Sequence, residues 1–357
     1  MALLIDGGRI PPRWAEKKGL HLVRSNGRYD SGTEFIEIAL LNNMPDPALE
    51  DTEMQFMELL ETAARDIPVR LKLYSLPRIP RGHRGKQHLG SFYHGIDDLW
   101  NSHFDAVIMT GTEPRQPDLR EEPYWCALAE VLDWAERNTV STVLSCLAAH
   151  AGVLHGDGIR RHPLGDKQFG VFESAKVCDH ELTRYAAQTM RFPHSRWNEL
   201  REDALTSCGY KVLTKSAQAG VDLFVKQKKK SLFVHFQGHP EYGTRTLLKE
   251  YRRDIKRFLR QERETYPTMP LGYFDVAAAK LLTEFQETAL AHRSDEQLVF
   301  FPEAVVAGAL QNTWESSAAG IYRNWMHYLL SKKAETSPFV AMPVSYAEVQ
   351  RKRSAVS

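Results

Sequence analysis

From residue 35 to residue 151 short apolar runs alternate with stretches of helical period, and this alternation limits the possible folds more than any other feature of the chain. Phe35-Ile-Glu-Ile-Ala-Leu-Leu41 has the length and composition of a buried strand. After the turn Asn42-Asn43-Met44-Pro45-Asp46-Pro47, apolar Met54, Met57, Leu60 and Ala64 mark one face of a helix over 48–64. Val69 to Leu76 alternates, as a half-covered or edge strand does. A loop of Pro, Arg, Gly and His over 77–90 leads to a helix near 95–101. Phe104 to Met109 is a third, fully buried strand that ends in Thr110-Gly111. Trp125, Leu128, Val131, Leu132 and Ala135 give helix 123–137 its core face, and Thr139 to Ser145 is a fourth strand. Strands separated by helices need crossover connections, so the expected fold is α/β with a doubly wound parallel sheet.

Beyond residue 151 the pattern loosens. Asp166 to Glu173 and Phe192 to Arg196 read as short strands and loops, whereas Val221 to Lys226 and Ser231 to Phe236 flank a lysine turn as a hairpin. A helix is expected over 244–260. From Tyr266 the chain reads as largely helical, over 276–291 and 320–332, with a polar tail after Ser337. Three parts follow: an irregular N-terminal arm over 1–33, a core over 34–265, and a helical C-terminal lobe over 266–357 packed on that core.

With 357 residues, 43% of them hydrophobic, the chain can bury a sizeable core. Its net charge of +1 shows no basic stripe for nucleic acid; the runs over 78–86 and 226–230 read as solvated loops. Cys126, Cys146, Cys178 and Cys208 have neither CxxC spacing nor metal-ligand clustering with His, which suits a reducing cytoplasm. No stretch has the length and apolarity of a membrane span.

Two turns carry chemistry. Phe233-Val-His-Phe-Gln-Gly238 runs into His239-Pro240-Glu241, a histidine and a carboxylate two residues apart, the makings of a general base and its orienter. Upstream, the β-branched strand before Ser145 gives way at Cys146 to small residues that favour helix. Such a strand-to-helix turn exposes the thiol and aims the first helical N–H groups and the positive end of the dipole at it. Taken singly, a His-Pro-Glu is usually a turn and a buried cysteine is usually packing. Both lie at carboxyl ends of expected strands, where open parallel sheets place their sites.

The chain resembles the homoserine O-succinyltransferase and O-acetyltransferase enzymes of bacterial methionine biosynthesis, which share the class I glutamine amidotransferase fold. The likeness runs through Leu40-Leu41-Asn42, Thr110-Gly111, Ser145-Cys146, Asp166-Lys167, Pro193-His194-Ser195-Arg196, Gly238-His239-Pro240-Glu241-Tyr242 and Glu250-Tyr251-Arg252-Arg253-Asp254, with a weaker echo at Trp314 and Asn324-Trp325. It implies ping-pong acyl transfer: Cys146 takes an acyl group from coenzyme A and passes it to the hydroxyl of an amino acid. His239 is then the base and Glu241 its support, with Lys167, Ser195, Arg253 and Glu250 contacting the amino acid. Acyl-CoA is a co-substrate, no bound cofactor is implied, and a cytoplasmic homodimer is expected. A thioester suits a weak hydroxyl nucleophile, and Glu250 and Arg253, three apart on one helix, share a face. Without the resemblance that pair reads as a surface salt bridge.

The chain also departs from the family. Asp46 stands after Met44-Pro45 where a lysine is usual, which removes a cation from beside the site. His150 replaces a glutamine, and Trp314-Glu315-Ser316-Ser317 replaces Trp-Arg-Ser-His. These changes leave open a relative that acylates serine or another hydroxy amino acid, or a cysteine redox or binding protein on the same fold. Glutamine hydrolysis is disfavoured because Gly-x-Gln is missing after Cys146. One family position after Thr-Gly separates succinyl from acetyl enzymes, and an ungapped count places Arg115 there. An arginine would pair with a terminal carboxylate, favouring succinyl. Pro114 and Pro117 bracket it, however, and leave it the alternative of turning to solvent or to the coenzyme A phosphates.

Overall fold

The apolar runs pair into one large sheet in the computed structural model, which describes residues 3–6, 9–19 and 34–336. In chain order the strands are β1 (Leu3–Ile5), β2 (Ile36–Leu41), β3 (Val69–Tyr74), β4 (Ala106–Met109), β5 (Ser141–Ser145), β6 (His162–Lys176), β7 (Thr189–Glu199), β8 (Lys211–Val212), β9 (Thr214–Ser216), β10 (Gly220–Val221), β11 (Leu223–Lys228) and β12 (Ser231–Phe236). The helices are α1 (Pro12–Lys17), α2 (Asp46–Ala64), α3 (His83–Phe92), α4 (Ile96–Asn101), α5 (Trp125–Asn138), α6 (Leu147–Asp157), α7 (Glu202–Ser207), α8 (Thr246–Leu259), α9 (Val276–Ala291), α10 (Glu303–Ala309) and α11 (Glu315–Thr336). No described helix is long and apolar enough to cross a membrane.

The main sheet has eight strands in the order β1-β3-β2-β4-β5-β12-β11-β8, parallel from β1 to β12 and antiparallel beyond. Each β2 to β5 strand is followed by helix, as the alternation requires. Successive side chains point to opposite faces, so β2 feeds two cores. Ile36, Ile38 and Leu40 pack with Phe56, Leu60, Trp325 and Leu329 on the α2 and α11 face. Ala39 and Leu41 pack with Val131, Leu132 and Ala148 on the α5 and α6 face. Parallel register places Ser145 of β5 opposite Phe236 of β12, and the chain leaves both strands at the same edge. The two turns with chemistry are therefore neighbours.

Several elements differ from expectation, each for a local reason. Leu3–Ile5, in the arm expected to be irregular, pairs with Val69–Leu71; it is too short to show a period, and it makes β3 an interior strand. Trp14 of α1 is buried as well. Residues 83–92, most of them within the stretch 77–90 expected as loop, form α3. Its only buried residue is Gly85, so it has no apolar stripe to read. Polar ties hold it instead: Asp46 accepts from Gly82 N at 2.8 Å, and His88 lies 2.6 Å from Glu53.

The largest departure is a second, antiparallel sheet, β10-β9-β6-β7, where only short strands and loops were expected. The first half of β6 is mostly solvated and carries a register shift between Pro163 and Gln168, which masks its alternation. After residue 266 the chain serves two layers. Leu282, Phe285, Phe301 and Val306 pack on Ile255 and Phe258 of α8. Helix α11 instead covers the main sheet, and Trp325 Nε1 donates to Ser141 Oγ of β5 at 2.9 Å. The polar tail lies outside the described residues.

Candidate active site

Cys146 sits where β5 must turn into α6 within one residue, and its backbone shows the cost. It has φ 50° and ψ −112°, a left-handed conformation rare for a residue with a side chain. Its N–H donates to Phe236 O of the neighbouring strand at 2.8 Å, and its carbonyl accepts from Ala149 N at 2.9 Å, so the strain is held from both sides. Leu147 begins the helix, where N–H groups lack an intrahelical acceptor. A Cβ on Gly111 would lie 3.0 Å from Leu147 N, so glycine there keeps this donor open to a developing oxyanion.

His239 leaves β12 through Gly238 and is anchored by its N–H to Pro193 O at 2.8 Å. Nδ1 lies 2.8 Å from Glu241 Oε1, which also accepts from Ser145 Oγ at 3.1 Å. This fixes the tautomer and leaves the other ring nitrogen for Cys146, which is within hydrogen-bonding reach. Burial opposes a charge on His239, but Cys146 and Glu241 outweigh it and hold the imidazole well above its usual pKa. Tyr242 stacks on the ring at 4.1 Å between centroids.

The amino-acid-contacting candidates also converge. Glu250 of α8 accepts from Ser195 Oγ of β7 and from Tyr242 OH at 2.6 Å, and its Oε2 lies 3.2 Å from Lys167 Nζ of β6. Lys167 Nζ is also 3.2 Å from Asp254 and 3.8 Å from the Phe169 ring centroid. Burial pushes the Glu250 carboxyl up, but Lys167, Arg253, Ser195 and Tyr242 together hold it below the usual range, so it is ionised. Arg253 pairs with Asp254 at 2.9 Å and only loosely with Glu250 at 3.9 Å; its side chain is 56% exposed. Sequence reasoning assigned no role to Asp254 or Tyr242. Asp254 is one helical turn beyond Glu250, a signal that was legible. Tyr242 joins the two halves through its stacked ring and its hydroxyl, which only the folded chain shows.

The departures resolve in different ways. Asp46, in place of the lysine, pairs with Arg81 at 3.3 Å, and Arg81 also donates to Met44 O and to Ser75 Oγ at 3.1 Å. A cation therefore does stand at the first loop, almost wholly buried and used to hold it, not solvated as expected. His150 is buried, and burial, aided by Arg196 and Arg161 and opposed by Gln237, pushes its pKa down to about 3. It is neutral, like the glutamine it replaces. Ser317 Oγ accepts from Arg191 N at 3.4 Å, and Trp314 Nε1 donates to Tyr242 O at 2.8 Å, bracing the turn that carries the base.

A narrow, mainly apolar slot opens beside Leu147. Asn43, Thr110, Gly111, Leu119, Tyr124 and Leu128 are among its walls. Arg115 is not. Its side chain is exposed, and its contribution is a backbone N–H that, with Gln116 N at 2.7 Å, donates to the buried Glu122 carboxylate. The loop between Pro114 and Pro117 turns to satisfy Glu122, and the 115 position reached by the ungapped count is not on the slot wall.

The profile of the homoserine O-succinyltransferase family matches residues 14–336. Curated relatives called homoserine O-succinyltransferase include one from Methylorubrum extorquens, 45% identical over 82% of this chain and 86% of its own. Another, from Rhodopseudomonas palustris, is 44% identical over 85% of this chain and 90% of its own. Among solved structures, a glutamine amidotransferase from Methylobacillus flagellatus is similar at a TM-score of 0.47 and 13% identity, over 83% of this chain and 96% of that one.

Proposed function

Because the chain belongs to the homoserine O-succinyltransferase family, we propose that it carries a succinyl group from coenzyme A to the hydroxyl of homoserine through a thioester on Cys146. The observation that carries this reading is the strained Cys146 turn with the Glu241-oriented His239 in reach of its thiol. His239 takes the thiol proton and the thiolate attacks the succinyl-CoA carbonyl. The Leu147 N–H faces the oxyanion, and coenzyme A leaves with the proton from His239. The same imidazole then takes the hydroxyl proton of the amino acid. Its oxygen attacks the thioester and Cys146 leaves as thiolate, regaining a proton from His239.

In the acceptor site Glu250 offers its carboxylate to the α-ammonium group, while Lys167 and the half-exposed Arg253 face the α-carboxylate, and Ser195 helps to orient Glu250. The pathway served is methionine or sulfur amino-acid synthesis, in a cytoplasmic and homodimeric enzyme. Intact-mass measurement tests this reading. Mixing with succinyl-CoA should add one succinyl group at Cys146, and homoserine should remove it faster than serine does. Persistence of the adduct with homoserine and its discharge by serine would redirect the assignment to a serine acyltransferase.

A further inference from the structure

The slot beside the nucleophile has a polar corner that the transfer steps leave unused. Leu119, Leu128, Leu147 and Ala151 give it apolar walls, yet Tyr124 lines it with a hydroxyl that is buried and has no hydrogen-bond partner. A buried hydroxyl left unpaired costs free energy that a ligand oxygen recovers. Arg161, the residue before β6, is not among the slot's walls but reaches the loop beside this corner. Its Nη2 donates to Pro117 O at 3.2 Å, on the loop that leads into Leu119 and Tyr124. Among the described residues it has no ion pair within 4 Å. The acid beside it, Glu122, is committed to the Arg115 and Gln116 N–H groups. The charge of Arg161 acts on Tyr124 and Glu122, and that of Cys146 acts on Arg161, so the guanidinium lies within electrostatic range of both the buried hydroxyl and the thiol.

We propose that Tyr124 and Arg161 form the subsite that reads the distal carboxylate of a dicarboxylic acyl group carried on Cys146, with the apolar walls of the slot holding its methylenes. This rests on the acyl-transfer reading above. A guanidinium fork and a hydroxyl donor match the two carboxylate oxygens, and an uncharged acyl chain leaves both groups unpaired. Discrimination by unpaired buried polar groups is stronger than discrimination by methylene fit. The slot thus selects by charge at its far end as well as by length.

The test compares succinyl-CoA with butyryl-CoA, a donor of the same carbon count without the carboxylate, by the rate at which each adds its acyl group to Cys146 of the full chain. Wild type should favour succinyl. Arg161→Gln should lower the succinyl-to-butyryl rate ratio by roughly tenfold or more, Tyr124→Phe by a smaller factor, and Arg161→Lys should restore part of the loss. Arg115→Gln should leave the ratio in place. Tyr124→Phe keeps the ring and its packing, so it reads the subsite even where Arg161→Gln disturbs folding. Equal slowing with both donors would make Arg161 a coenzyme A contact and overturn the proposal, as would a ratio that moves only with Arg115→Gln. If wild type takes no acyl group from either donor, the transferase reading itself falls and the subsite with it.

Discussion

Cys146 and His239 are placed by main chain, whereas Lys167, Ser195, Glu250 and Arg253 are placed largely by one another. Phe236 O holds Cys146 N, Pro193 O holds His239 N, and the parallel register of β5 with β12 sets their spacing. On the acceptor side, β6, β7 and α8 each lend one or two charged or hydroxyl side chains to a ring around Glu250. The nucleophile half is therefore positioned by the backbone of the sheet and its turns. The acceptor half is poised to exchange internal ion pairs for the charges of an amino acid, and its half-exposed Arg253 is already partly free to do so.

Substitutions can break or sharpen this contrast. The largest effect belongs to Cys146→Ser, which should abolish the acyl adduct, because an alkoxide is far harder to form than a thiolate. An adduct that maps to Cys126, Cys178 or Cys208 would remove the nucleophile half altogether. Next, His239→Ala should lower turnover by about 10²- to 10⁴-fold, with Glu241→Gln costing less because the ring keeps a hydrogen-bonding neighbour. Wild-type turnover in His239→Ala would end the base assignment.

Glu250→Gln should separate the halves. It removes the charge that Lys167, Ser195 and Tyr242 surround, so KM for the amino acid should rise roughly tenfold while single-turnover acylation by succinyl-CoA slows much less. Equal damage to both half-reactions would mean that the two regions act as one unit, through Tyr242.

The smallest effect concerns stability. Burial pushes His150 and His235 down to about 3, below their ordinary 6.5. Folded pKa values below the unfolded ones contribute stability that is complete above pH 6.5 and is lost as pH falls towards 3, at about 1.4 kcal/mol per pH unit for each group. His235 stacks on Phe224 at 4.6 Å between centroids, so His235→Phe keeps the packing and removes one titration. The fall in Tm between pH 7 and pH 5 should be shallower in this variant than in wild type; an unchanged slope would place the acid sensitivity elsewhere.

What was legible in the chain followed the range of its signals. The βαβα series, the lysine-turn hairpin, the Cys146 turn and the His239-Pro240-Glu241 motif are each written within a few consecutive residues, and the structure has the turn and the motif side by side. The second sheet was not legible, because half of β6 is solvated and its register shifts at Pro163 to Gln168. Helix α3 was missed because polar ties, not an apolar stripe, hold it. Arg115 was placed at the acyl end by counting along a loop whose course depends on a buried carboxylate.

Sequence alone determined which residue types are available and where the backbone must turn: an alternation that only a parallel sheet satisfies, a thiol at a strand-to-helix junction, and a histidine with a carboxylate two residues on. Those are local properties, set by period and by the conformations that neighbouring residues permit. Only the tertiary structure decided that Tyr242 spans both halves of the site, that Trp325 of the last described helix ties down Ser141 at the start of the nucleophile strand, and that a buried Tyr124 hydroxyl lines the slot without a partner. These pairings join residues far apart in the chain, and their partners are chosen by strand register and by burial, quantities that exist once the layers have packed.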